Sequence, residues 1–218
     1  MGDRASHSRP TLEAAGLTVG YLPDRPIIRD LSFTLTGPGV VRLDAPNGAG
    51  KSTLIEAASG YLRPLAGNIR INGKDAHDRA VRARHRVCRA APALHPYLSL
   101  LDHLALSADL AGIDREEPRT RAQKFGLDRW SDTRTSALST GTAGKLWYVM
   151  CTTGRFSVAL LDEPFNGVDQ ESTKQMIDEM NQWAEESLLV IVCHTVPPNL
   201  RIRSTLSIDG QSRHEETV

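Results

Sequence analysis

The chain is 218 residues long, enough for one domain of ordinary to large size with a proper hydrophobic core. Hydrophobic residues make up 40% and charged residues 24%, which is soluble globular usage and excludes a disordered or fibrous chain. Twenty-six basic and twenty-six acidic side chains cancel, so nucleic acid is not expected as a partner held by phosphate neutralisation.

Residues 1–10 are polar, lack the apolar core of a secretory signal and are expected to form a mobile tail. A single domain is expected over 11–212. Leu12 to Tyr21 and Leu31 to Thr36 read as strands bounded by Gly and Pro. Val40 to Asp44 is an apolar strand running into a Gly-rich turn and then a helix, Lys51 to Ser59, with Gly60 placed to end it in a left-handed conformation. Gly67 to Gly73 alternates Ile69 and Ile71 with polar neighbours and reads as another strand. From 75 to about 153 the pattern is mostly helical, with a capping box at Ser99 and Asp102. Within it, the arginines between His77 and Arg89 read as the solvated face of a short helix, the sharper alternative being contact with lipid headgroups or an acidic partner loop. Val158 to Leu161 and Leu188 to Val192 are fully apolar runs suited to central parallel strands. Ile177, Met180 and Ala184 give one face of a crossover helix between them.

No apolar run approaches the roughly 20 residues of a membrane-spanning helix; the longest is Leu188 to Cys193. Cys88, Cys151 and Cys193 form no CxxC pair and point to reduced thiols in a cytosolic protein. Any role at a membrane is therefore expected to run through another chain. The organisation is α/β, with a helical insert at about 90–150.

The strongest local signal is Ala45-Pro46-Asn47-Gly48-Ala49-Gly50-Lys51-Ser52-Thr53, between a strand and a helix. That is the context of a phosphate-binding loop. Small residues let successive backbone N–H groups face one concavity, and the helix N-terminus adds partial positive charge. Lys51 is expected to reach terminal phosphates and Ser52 to ligate Mg²⁺. The strict motif has Gly where this chain has Ala45, a departure that costs about 1 kcal/mol if the position needs positive φ. The second half of the site is Val158-Ala-Leu-Leu-Asp162-Glu163-Pro164, an apolar strand ending in two carboxylates. Asp162 suits the Mg²⁺ shell, and Glu163 suits a general base acting on water.

Together these segments, with Asn166-Gly-Val-Asp169, Leu138-Ser139-Thr140-Gly141-Thr142 and His194, resemble the ordered motifs of ATP-binding-cassette (ABC) ATPases over roughly 12–210. The resemblance implies a P-loop NTPase core of mainly parallel sheet, with an N-terminal antiparallel part and a helical signature subdomain. It implies ATP and Mg²⁺ as cofactors. Two such domains would pair head to tail, as a homo- or heterodimer, with Ser139 and Gly141 contacting the γ-phosphate in trans. His194 would contact it in cis, and Tyr21 would stack on adenine.

Two departures from the family pattern stand out. The signature reads LSTGT, with Thr140 and Thr142 where the family has Gly and Gln; with DEPFNGVD it looks most like ABC-2-type exporter ATPases. Counting back from Leu94-His95-Pro96 puts Ala90 where the family keeps its Q-loop glutamine, so slow hydrolysis is an expectation. The function expected is the cytoplasmic ATP-hydrolysing subunit of an ABC transporter, an exporter, at the inner face of the membrane. It would drive a separate transmembrane subunit docked near 92–104. The alternative is a nucleotide-gated regulatory module with little turnover.

Overall fold

Why the chain divides into two sheets follows from its hydrophobic alternation. The computed structural model describes residues 9–208 and the backbone of 215–217. Strands β1 (Thr11–Val19) and β2 (Ile28–Thr36) form an antiparallel pair, joined on the other side of β1 by β4 (Ala66–Ile71), and beyond it β5 (Lys74–Asp75). The main sheet holds six strands in the order β10-β9-β3-β8-β7-β6. These are β3 (Gly39–Asp44), β6 (His85–Cys88), β7 (Val158–Asp162), β8 (Leu188–Val192), β9 (Ile202–Ser207) and β10 (Glu215–Thr217). All its pairings are parallel except β10 with β9.

Alternate residues of the central strands face two different cores. Val41, Leu160 and Val190 pack toward the antiparallel sheet and α1 (Lys51–Ala58). Val40, Leu161 and Ile191 pack toward α3 (Leu100–Ala111), α5 (Thr140–Cys151) and α6 (Gln170–Trp183). Burial on both faces is why β7 and β8 carry unbroken apolar sequence. Crossover helix α6 buries Met176, Ile177 and Met180 as its spacing requires. Short α4 (Glu116–Lys124) completes the helical segment between 100 and 151. The capping box at Ser99 is present in full, with Ser99 Oγ accepting from Asp102 N and Asp102 accepting from Ser99 N. Gly60 adopts φ 72° just beyond α1.

Three sequence expectations change. The segment after 75 is not continuous helix: it contains β5, the four-residue α2 (Arg79–Arg82) and the edge strand β6. Pairing with β7, His85↔Val158 through Cys88↔Leu161, supplies the hydrogen bonds that local sequence does not reveal. Consequently the arginines between 77 and 89 do not form one solvated helix face. Arg86 lies in β6 and donates to Thr153 O at 2.6 Å, while Arg89 lies beyond the strand. Residues 1–8 of the expected tail lie outside the described residues. Pro10, at its end, is buried, and its carbonyl accepts from Gly37 N at 2.8 Å.

Candidate functional site

Parallel strands β3, β8 and β7 are neighbours, so the segments that leave their carboxyl ends emerge side by side. Such crevices are where open α/β sheets hold ligands. The loop after β3 turns through Gly48 at φ 80° and Gly50 at φ 99°. Both values lie in the left-handed region that side chains rarely adopt. A Cβ on Gly48 would meet nothing within 4 Å, so the loop faces open space there. A Cβ on Gly50 would lie 2.9 Å from Ile28 Cγ1, because the turn is pressed onto β2. Ala45 is not among the positive-φ residues. The departure at that position is therefore free of backbone strain, which is why the loop tolerates Ala there.

Lys51 opens α1, and its Nζ donates to Ala45 O at 2.6 Å and Pro46 O at 3.3 Å. The ammonium thus sits over its own loop. Pro46, Asn47 and Ser52 are exposed, Ala49 is half-buried and Thr53 is buried under the helix start. Asp162, the last residue of β7, is 5% exposed. Burial raises its carboxyl above the ordinary value; the nearby Ser52 hydroxyl and the charge of Lys51 pull it back in part. A hydroxyl and a buried carboxylate facing each other at the end of a phosphate-type cradle form a hard-oxygen pair of the kind Mg²⁺ takes. The residues present fit Mg·ATP: Gly48 to Ser52 would supply the amides and Lys51 the cation. Ser52 and Asp162 would hold the metal, whose charge would offset that of the phosphates.

Glu163 follows with φ 48°, a left-handed backbone that costs a non-glycine residue about 1–2 kcal/mol. The turn is held by Glu163 N donating to Val192 O at 2.9 Å and Asn166 N donating to Glu163 O at 3.2 Å. It brings the Glu163 carboxylate, 12% exposed, to His194: Nε2 is 3.5 Å from Oε1, and the His194 backbone N–H donates to Oε2 at 3.4 Å. Glu163 and His194 therefore stand together, one residue past β7 and two residues past β8.

Tyr21 is exposed, and its hydroxyl donates to Glu56 Oε2 at 2.8 Å, which raises the phenol's pKa. It is thereby tied to α1, the helix that begins at Lys51. Ser139 caps α5, accepting from Thr142 N at 3.2 Å. Thr140 is not at positive φ, so its branch is tolerated. Gly141 lies against the loop after β7: a Cβ there would fall 2.5 Å from Gly167 O. Among the described residues, no hydrogen bond joins Ser139 or Gly141 to 45–53 or to Glu163 of the same chain. Ala90 is exposed, two residues past β6, beyond the level of Asp162 in the β6–β7 register.

Sequence reasoning paired neither Tyr21 nor Arg89 with Glu56. Glu56 sits one turn after Ser52 on α1, an i, i+4 spacing that marks one helix face; that signal was available. Arg89 was hidden by the helical reading of its segment. Two clefts, of about 440 and 420 Å³, lie elsewhere, and neither is lined by any residue of 45–53. A cradle of backbone amides on the rim of a sheet is shallow.

A glycine cradle after one parallel strand, two carboxylates at the end of a second and a histidine after the strand between them define a P-loop nucleotide-binding protein of the α/β class. The chain belongs to the ABC transporter family, whose match spans residues 28–166. It is 28% identical over 207 residues to a putative ABC transporter ATP-binding protein of Lactiplantibacillus plantarum, covering 91% of this chain but only 37% of that protein. It is 30% identical over 177 residues to the ABC-type transporter ATP-binding protein EcsA of Bacillus subtilis, covering 78% of this chain and 71% of the relative. A solved ATP-binding subunit of an ABC transporter superposes with a TM-score of 0.84 at 26% identity, covering 95% of this chain and 90% of that one. No helix among the described residues is long and apolar enough to cross a membrane.

Proposed function

We propose that the chain is the ATP-binding and ATP-hydrolysing subunit of an ABC transporter, acting as a single domain over 11–212. It would power transport through a separate membrane subunit, at the inner face of the membrane. The observation that carries this reading is the Glu163 carboxylate, shielded and turned toward His194, next to the Ser52–Asp162 pair. A carboxylate placed there can accept the proton of an attacking water, while His194 orients the reacting end of the nucleotide. Residues 45–53 bind the phosphates, Tyr21 stacks on the base, and Ser52 and Asp162 hold Mg²⁺. Ser139 and Gly141 complete the site of a second subunit in trans, so the working unit is a dimer. Export is supported by the likeness of Leu138–Thr142 and Asp162–Asp169 to exporter ATPases.

Glu163→Gln tests this assignment. Nucleotide binding should persist, turnover should fall roughly 10²–10⁴-fold, and the ATP-bound dimer should accumulate on a sizing column. Full turnover in a variant that stays monomeric at saturating Mg·ATP would refute the assignment. A regulatory module with little turnover is favoured by one observation, the exposed methyl of Ala90 in place of a carboxamide. Absence of ATP hydrolysis by the parent, alone and with its membrane partner, would select that reading.

A further inference from the structure

Arg89 directly follows β6 and touches α1, the turn after α1 and α5 at once. Its Nη1 stands 4.0 Å from Glu56 Oε1 on α1. Its guanidinium carbon lies 4.3 Å from the centre of the Tyr61 ring, just past α1. Its carbonyl accepts the Trp147 indole N–H, in the middle of α5, at 2.9 Å. Glu56 in turn accepts the Tyr21 hydroxyl. A chain of polar contacts therefore runs from the exposed ring of Tyr21, across α1, through one residue, into the helix capped by Ser139.

The two sides of Arg89 are held by different atoms. Its side chain grips α1 and its backbone grips α5, so a shift of α1 against β6 passes to α5 through the covalent frame of a single residue. Arginine suits the post because its planar guanidinium can lie over an aromatic face while an edge points to a carboxylate.

We propose that Arg89 is a positioning residue that couples nucleotide occupancy at 45–53 to the placement of α5, through Glu56 on one side and Trp147 on the other. The proposal rests on the nucleotide reading above. It supplies a polar link at the strand exit where the methyl of Ala90 offers none, and it identifies Tyr21, Glu56 and Arg89 as one unit.

Hydrogen exchange of the full chain with and without Mg·ATP tests it, read in two segments. Residues 45–58 report binding. Residues 144–151 report α5 beyond the turn that a second subunit would cover. In the parent, Mg·ATP should slow exchange in both. In Arg89→Ala, slowing at 45–58 and a calorimetric affinity within about twofold of the parent should persist, while the effect at 144–151 falls at least about threefold. Glu56→Gln keeps the bulk and an acceptor for Tyr21 but removes the charge, and should show the same selective loss. Arg89→Lys keeps both the cation and the carbonyl, and should retain more than half of the effect. Full slowing at 144–151 in both Arg89→Ala and Glu56→Gln overturns the proposal. So does a parent that responds at 45–58 alone. A parent that responds in neither segment overturns the nucleotide reading itself. Should Arg89→Ala fail to fold, Glu56→Gln and Arg89→Lys decide the question.

Discussion

Two glycines of α5 invite the same substitution and should answer it with opposite signs. Gly141 and Gly144 both lie within the helix, and neither has positive φ. Alanine is favoured over glycine in a helix by about 0.5–1 kcal/mol. At Gly144 a Cβ would find Asn166 O and Val168 Cγ2 at 3.8 Å, ordinary contact distance, so Gly144→Ala should stabilise the fold by that amount. At Gly141 the same atom would land 2.5 Å from Gly167 O, against the 3.4 Å at which ordinary contact begins. The obstacle is backbone in a turn whose φ is 72°, so it cannot rotate away as a side chain would. Overpacking of this kind costs about 1–3 kcal/mol. Gly141→Ala should therefore be destabilised by roughly 0.5–2 kcal/mol net, after the helix gain is subtracted. For a domain of this size each 1 kcal/mol moves Tm by about 2–4 °C. Thermal unfolding followed by circular dichroism should place Gly141→Ala below the parent and Gly144→Ala above it. If Gly141→Ala melts at or above Gly144→Ala, the close approach of α5 to the 166–168 loop is wrong.

Three further outcomes follow from the site and its surroundings. Lys51→Ala should weaken Mg·ATP binding by about 2–4 kcal/mol, by analogy with removing one partner of a buried charge pair; calorimetry that finds equal affinity contradicts the cradle. Asp169 caps α6 through Ser172 N at 2.8 Å and pairs with Lys145 at 3.0 Å. The Ser172 N–H, more than any other group, lowers its carboxyl from 3.8 to about 2. Because that side chain is 54% exposed, its worth is discounted for solvent to the ~1 kcal/mol of a cap. A depressed folded pKa stabilises fully above the unfolded value and loses that stabilisation as pH falls through the folded one. In urea unfolding, Asp169→Ala should therefore trail the parent at neutral pH and converge with it near pH 2, whereas a constant gap would contradict the assignment. Ala90→Gln should raise turnover by at most about tenfold, ~1.4 kcal/mol in barrier, with little change in nucleotide affinity. Unchanged or lower turnover in the folded variant counts against Ala90 as the glutamine position.

Much of the site could be read before any coordinates, because its chemistry is local. Gly48, Gly50 and Gly60 stand where the chain turns left-handed, the capping box at Ser99 closes as written, and β7 and β8 are buried on both faces. Each is decided within a few residues, by backbone sterics, by a side chain reaching its own helix, or by apolar runs that need cover on two sides. The residue types at Lys51, Asp162 and Glu163 and their places beside strands suggested a chemistry for each, while His194 entered through the family resemblance.

What the tertiary structure alone decided are the meetings between distant segments. His85–Cys88 becomes a strand only because β7 offers it an edge. Tyr21 finds Glu56 only once β1 and its following turn lie against α1. Ala45 proves harmless because its backbone lies outside the left-handed region, which its letter does not reveal. Gly141 is small for a reason within its own chain, the carbonyl of Gly167, besides any contact with a second subunit. Local sequence sets propensities worth fractions of a kcal/mol per residue. Pairings across long loops form only after the loop-closure entropy has been overcome by burial elsewhere, so their geometry belongs to the folded whole.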